Sequence, residues 1–138
     1  MLRDGIDARL VDFFTLKDES YDTLLFLMNG IGIGGFVETL GRTLQQAKSL
    51  LAPGGKILCD STDLKYLYED EDGSYWIDLT ANYYGEVNFH MRYDGHNSGW
   101  FNWLYVDFDT LKKTAESCGF QITLLHEEEN QYLAELCL

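Results

Sequence analysis

Tyr21-Asp22-Thr23-Leu24-Leu25-Phe26-Leu27-Met28-Asn29-Gly30 is the stretch on which the fold turns. From Leu24 to Met28 the run is unbroken in its apolarity. Such a run is buried on both faces, as in an inner strand of a parallel sheet, whereas a half-wet strand alternates. Asn29-Gly30 closes it, and Ile31-Gly32-Ile33-Gly34-Gly35 reads as a flexible loop. Beyond the loop the period changes: Val37, Leu40, Leu44, Ala47 and Leu51 recur at three- and four-residue steps, one apolar stripe on a helix over 36–51. Lys48 complements the helix dipole near its end, and Pro53-Gly54-Gly55 stops it. Lys56-Ile57-Leu58-Cys59-Asp60 then reads as a second inner strand. Strand, helix and strand in this order need a crossover, almost always right-handed. The unit is βαβ, and the fold class is α/β.

Working outward, Arg9-Leu10-Val11-Asp12-Phe13-Phe14 reads as a short buried strand running into a loop. Downstream, Glu69-Asp70-Glu71-Asp72-Gly73 is an acidic turn; it lacks the spacing of a calcium loop and is taken as solvated. Residues 86–93 alternate, with Val87, Phe89, Met91 and Tyr93 on one face and Glu86, Asn88, His90 and Arg92 on the other, which predicts an antiparallel strand with one wet face. Residues 94–99 turn the chain, and Trp100 to Val106 pairs back. Asp107 caps a helix through Cys118 that Gly119 ends. Phe120 to Leu125 and Gln131 to Leu138 form a last strand pair around a polar turn. One domain over 1–138 is expected, with an aromatic insertion over 63–106.

Composition sets limits on function. The chain has 138 residues, 46% hydrophobic and 14% aromatic, too apolar for a disordered tail. Ten Lys and Arg against 23 Asp and Glu give a net charge of −13, a field that opposes nucleic acid. No apolar stretch is long and clean enough to span a membrane, and no secretory signal opens the sequence, so a cytoplasmic location is expected. Cys59, Cys118 and Cys137 form no C-x-x-C pair and read as reduced thiols, with no metal site indicated. No G-x-S-x-G, P-loop, H-E-x-x-H or G-x-G-x-x-G motif is present. Polar residues do gather at the C-terminal ends of the buried strands: Asp12, Asn29, and Asp60 through Asp63. In open α/β sheets ligands bind at that edge, although the same residues also serve as caps and turns.

The Tyr21-Asp22 strand, the following helix and Leu50-Leu51-Ala52-Pro53-Gly54-Gly55 together resemble the central stretch of class I S-adenosylmethionine-dependent methyltransferases. The helix after Asp107 and the two last strands resemble that family's terminal helix and antiparallel hairpin. The resemblance implies a partial Rossmann-like methyltransferase sheet, parallel inner strands followed by an antiparallel C-terminal hairpin, with S-adenosylmethionine as cofactor. It places the chain's beginning just ahead of what resembles the family's third strand, after the glycine-rich loop and the ribose-binding carboxylate. Val11-Asp12-Phe13 then corresponds to the adenine-facing segment, with Asp12 accepting from the adenine amino group and Phe13 covering the ring. Asn29 and Gly30 lie beneath the cofactor. The aromatic stretch that includes Tyr93 and Trp100 suits a cover for an unidentified methyl acceptor, with His96 as a candidate base; the same rings also suit a packed core with an interface patch. His126 beside three glutamates reads as a surface ion pair. Half a site implies weak or absent cofactor binding and an inactive isolated chain. The alternative is a non-catalytic module that keeps half the fold. Either way the sheet must be completed, by a homodimer or by a missing N-terminal half.

Overall fold

The structure, a computed structural model, describes residues 9–68 and 83–138. In chain order the described elements are β1 (Tyr21–Phe26), α1 (Val37–Ser49), β2 (Leu51–Thr62), β3 (Glu86–Tyr93), β4 (His96–Leu104), α2 (Phe108–Ser117), β5 (Gln121–Glu128) and β6 (Gln131–Cys137). Short 3₁₀ turns occupy Phe13–Thr15, Gly30–Gly34 and Leu64–Tyr68. No helix among them is long and apolar enough to cross a membrane.

β1 and β2 are parallel, joined through α1, and the sheet runs β1-β2-β6-β5 with β6 antiparallel to both of its neighbours. Register then divides the side chains between two faces, because successive residues alternate. On one face Leu24, Ile57, Leu136 and Ile122 lie in a row, followed by Phe26, Cys59, Ala134 and Leu124. Ile57, Cys59, Ala134 and Leu136 are wholly buried there, in one core with Leu40, Leu44 and Ala47 of α1 and Leu111 and Ala115 of α2. Burial lifts the Cys59 thiol to about 12, helped by the Asp60 charge. The opposite face carries Leu25, Leu58, Glu135 and Thr123, then Asp60, Leu133 and His126, then Thr62, Gln131 and Glu128. None of the described helices packs in that second set.

Several expectations are corrected. Residues 9–14 are not a strand: Leu10 and Val11 are exposed, and Asp12 instead starts the 3₁₀ turn by accepting from Phe14 N at 2.9 Å. An apolar run becomes a strand only where a neighbour supplies backbone partners, and none of the described residues does so there. β1 pairs with β2 alone among the described residues, and Leu25 is 59% exposed. The hairpin turn is tighter than read: Asp94 and Gly95, both at positive φ, form a two-residue connection and strand pairing begins again at His96. The acidic run 69–73 lies outside the described residues.

The glycine segment is also not a loose loop. A Cβ on Gly32 would stand 2.0 Å from the Leu104 carbonyl oxygen and 2.8 Å from the Trp103 ring. Glycine is there because the base of the β3–β4 ribbon lies directly against it. The ribbon is tied to α1 as well. Phe36 offers no side-chain cap, and Val37 N donates instead to Glu86 Oε1 at 3.0 Å. α2 is capped as the sequence indicates, by Asp107 accepting from Thr110 N, with Gly119 at φ +91 beyond its end.

Candidate functional site at the C-terminal edge of the sheet

β1 ends in two consecutive left-handed residues, Met28 and Asn29, at φ 53 and 61. Asn tolerates this conformation far better than Met, so something must hold the pair. Asp60 at the end of β2 does: its carboxylate accepts from Met28 N at 3.1 Å and Asn29 N at 2.6 Å. The Asn29 side chain turns inward, only 7% exposed, donating to Leu104 O at 2.9 Å and accepting from Ser61 Oγ at 2.5 Å. Trp103 Nε1 donates to Asn29 O at 2.8 Å, and Val106 N donates to Ser61 Oγ at 3.2 Å. The end of β1, the end of β2 and the base of the ribbon are thus bound through one asparagine.

Behind this knot, Tyr132 donates to Val106 O at 2.6 Å, and burial pushes its phenol well above the ordinary value. Tyr83 donates to the Asp107 carboxylate while receiving Asp107 N at 2.9 Å, and Tyr84 donates to Asp63 at 2.7 Å. Burial works against the charge on Asp107, but hydrogen bonds from Thr110 and Tyr83 outweigh it and hold the carboxyl below its usual pKa.

Over the knot, on the sheet face without helices, lies a cleft of about 660 Å³. Its walls include Met28, Asp60, Tyr105, His126, Tyr132 and Glu128. His126 Nε2 is 3.7 Å from Glu128. A second hollow of about 550 Å³ shares Thr62, Glu128 and Gln131 with the first. That size suits a small molecule.

The structure brings Asp12, Phe13, Asn29 and Gly30 to the same end of β1. The Phe13 ring meets Phe26 edge-on with centroids 5.5 Å apart, and the Phe26 side chain lies 3.6 Å from a Cβ built on Gly30. Gln46 Nε2 anchors the segment by donating to Phe13 O and Leu16 O. Tyr93, His96 and Trp100 gather instead at the tip of the ribbon, where Tyr93 pairs with His96 and the Trp100 ring lies 5.1 Å from His90. Neither His96 nor Trp100 lines the cleft. Tyr105, which the sequence places in the aromatic stretch, does, as do Tyr132 and Gln131, which escaped the sequence reading. The signal available was that an antiparallel β6 must begin where β2 ends.

Solved structures share this fold. A SAM-dependent methyltransferase from Bacteroides fragilis, in complex with S-adenosyl-L-homocysteine, superposes with a TM-score of 0.87 and 43% sequence identity over 99% of the chain. The chain has the class I S-adenosylmethionine-dependent methyltransferase fold. The same fold is shared with a DhpI-SAM-HEP complex (TM-score 0.67, 17% identity, 99% of the chain) and a methyltransferase from Clostridium acetobutylicum (0.61, 12%, 99%). The chain spans 56% of the Bacteroides protein's length and 61% and 67% of the other two. No family model and no curated protein matches it.

S-adenosylmethionine is the cofactor of this methyltransferase fold. At this end of β1 Asp12 is exposed, its carboxylate accepting from Phe14 N, and Phe13 is half-buried. Asn29 is engaged within the protein through its side chain and through both of its backbone polar groups.

Proposed function

We propose that this chain is the C-terminal portion of a SAM-dependent methyltransferase that transfers a methyl group to an acceptor not yet identified. The observation that carries this reading is 43% identity, over 99% of the chain, to a methyltransferase holding S-adenosyl-L-homocysteine. In this proposal Asp12 accepts from the adenine amino group, Phe13 covers the ring, and the backbone at Asn29 and Gly30 lies beneath the cofactor. When bound, the cofactor supplies an electrophilic methyl group on sulfonium. The chain's own part is to orient the acceptor in line with it, which is the main source of rate where no covalent intermediate forms. The ribbon tip that carries Tyr93, His96 and Trp100 serves in this proposal as an outer cover over the acceptor. The described residues offer only the adenine end of a cofactor site, so the isolated chain is expected to bind weakly and to be inactive alone. Free cysteines, two of them buried, support a reducing compartment such as the cytoplasm.

A second reading has its own support. Leu25, Leu27 and Met28 are 59%, 48% and 94% exposed along the outer edge of β1 and its end. An apolar strand edge of this kind calls for cover, which suits a non-catalytic module that dimerises or complements a separate N-terminal half. Calorimetric titration with S-adenosylhomocysteine, repeated on Asp12→Ala, separates the two. Saturable heat lost on substitution supports the enzyme reading. No heat, with a dimer by light scattering, supports the module.

A further inference from the structure

Tyr105 stands where two surfaces meet. On one side it forms a wall of the 660 Å³ cleft. On the other it begins a row of rings: Phe89 lies 6.1 Å from it, centroid to centroid, and Phe101 lies 6.0 Å from Phe89, stacked. Strand alternation keeps Phe89 and Phe101 with Val87 and Trp103 on one face of the ribbon, and sends His90 and Trp100 to the other. All three rings of the row are only half-buried. A flat apolar body reaching out of the cleft finds a continuous aromatic wall to lie on.

The polar part of this surface has one sign. Asp60 and Glu128 line the cleft, Glu128 and Glu129 line the adjoining hollow, and no Lys or Arg among the described residues lines either. Asp60 is turned to the Met28 and Asn29 amides, whereas the Glu128 side chain is 80% exposed, beside His126. With a net charge of −13 on the chain, the field favours a cation and opposes an anion.

We propose that the acceptor is a small aromatic amine, bound as the ammonium with its ring against Tyr105 and Phe89 and its nitrogen toward Glu128, and that the nitrogen gives up its proton to solvent at this open edge before its lone pair takes the methyl group. This rests on the methyltransferase reading for the word acceptor, but the binding surface is testable without the cofactor. The probes are phenethylamine, 3-phenylpropionate (a similar ring and reach with the opposite charge) and butylamine (the charge without the ring). The readout is the methyl signal of Met28, which lines the cleft, in chain labelled at its three methionines, with Met28→Leu to assign it. Phenethylamine is expected to shift that signal saturably. Tyr105→Ala should weaken its binding about twofold to tenfold, the scale of one aromatic contact. Glu128→Gln, at an exposed position that does not threaten folding, should weaken it by up to about fivefold, the scale of an exposed ion pair, with no change in unfolding midpoint. The two other probes should bind more weakly still. Equal binding of 3-phenylpropionate, or phenethylamine binding untouched by Glu128→Gln, overturns the proposal. So does the absence of a phenethylamine shift in the folded chain, and S-adenosylhomocysteine binding by that chain leaves the methyltransferase reading standing. Phenethylamine binding without S-adenosylhomocysteine binding keeps the surface and counts against the cofactor half of the reading.

Discussion

Gly32→Ala tests how firmly the ribbon is seated. The new methyl would sit 2.0 Å from the Leu104 carbonyl oxygen, a backbone atom, and 2.8 Å from the Trp103 ring. A rotamer change relieves the second contact but not the first, so the 3₁₀ turn and the base of β4 must part. Leu104 O would then lose the Asn29 amide, and Trp103 Nε1 would lose Asn29 O. Overpacking alone costs about 1–3 kcal/mol, and weakening two hydrogen bonds adds about 1 kcal/mol each. The expected loss is therefore about 3–5 kcal/mol, a fall in melting temperature on the order of 10–20 °C for a chain of this size. Gly54→Ala is the control: Gly54 has φ +77 and nothing within 4 Å of a built Cβ, so only the left-handed strain of about 1–2 kcal/mol remains. Thermal unfolding followed by far-ultraviolet circular dichroism and by indole fluorescence measures both. A Gly32→Ala variant as stable as Gly54→Ala would refute the close seating of the ribbon.

Three further outcomes are expected. Asn29→Ala strips the buried Ser61 hydroxyl and Leu104 carbonyl of a partner and places alanine at a left-handed φ, for a loss of about 3 kcal/mol by urea unfolding. In thiol titration at pH 8 the folded chain should expose at most Cys137, since Cys59 and Cys118 are buried and Cys59 is raised to about 12; all three should react in guanidinium. Asp107 has a folded pKa below its ordinary 3.8, so its ionised form stabilises the fold above that value and the benefit is lost as pH falls through the folded pKa. Wild type should accordingly lose more stability than Asp107→Asn between about pH 5 and pH 2 in denaturant titrations; parallel curves would contradict the carboxylate's role.

The parts of the fold legible in the sequence were those fixed by neighbours in the chain. Asp107 capping α2, Gly119 ending it, and the switch of period between β1 and α1 all act within a few residues. What escaped reading depends on distant chain. Gly32 answers to Leu104, and Asn29 looks like a loop residue until Ser61 and Leu104 are placed around it. The cleft was half legible: Asp60 stands at the end of an apolar strand, where polar side chains attract notice, but Tyr105 and Tyr132 reach it only through β-pairings that local pattern does not specify. Residues 9–14 misled because apolar spacing carries no information about whether a partner strand lies alongside.

The helix that follows β1 takes its first hydrogen-bonded cap from a glutamate 49 residues later in the chain, at the start of β3. The ribbon is therefore no interchangeable cassette. Cutting it out, or grafting in one from a relative with a different residue at position 86, would leave the opening turn of α1 unfinished along with the surface above it. The ribbon is tied to the body of the fold at its root, and an engineer who wishes to change what the tip touches has to carry Glu86 along.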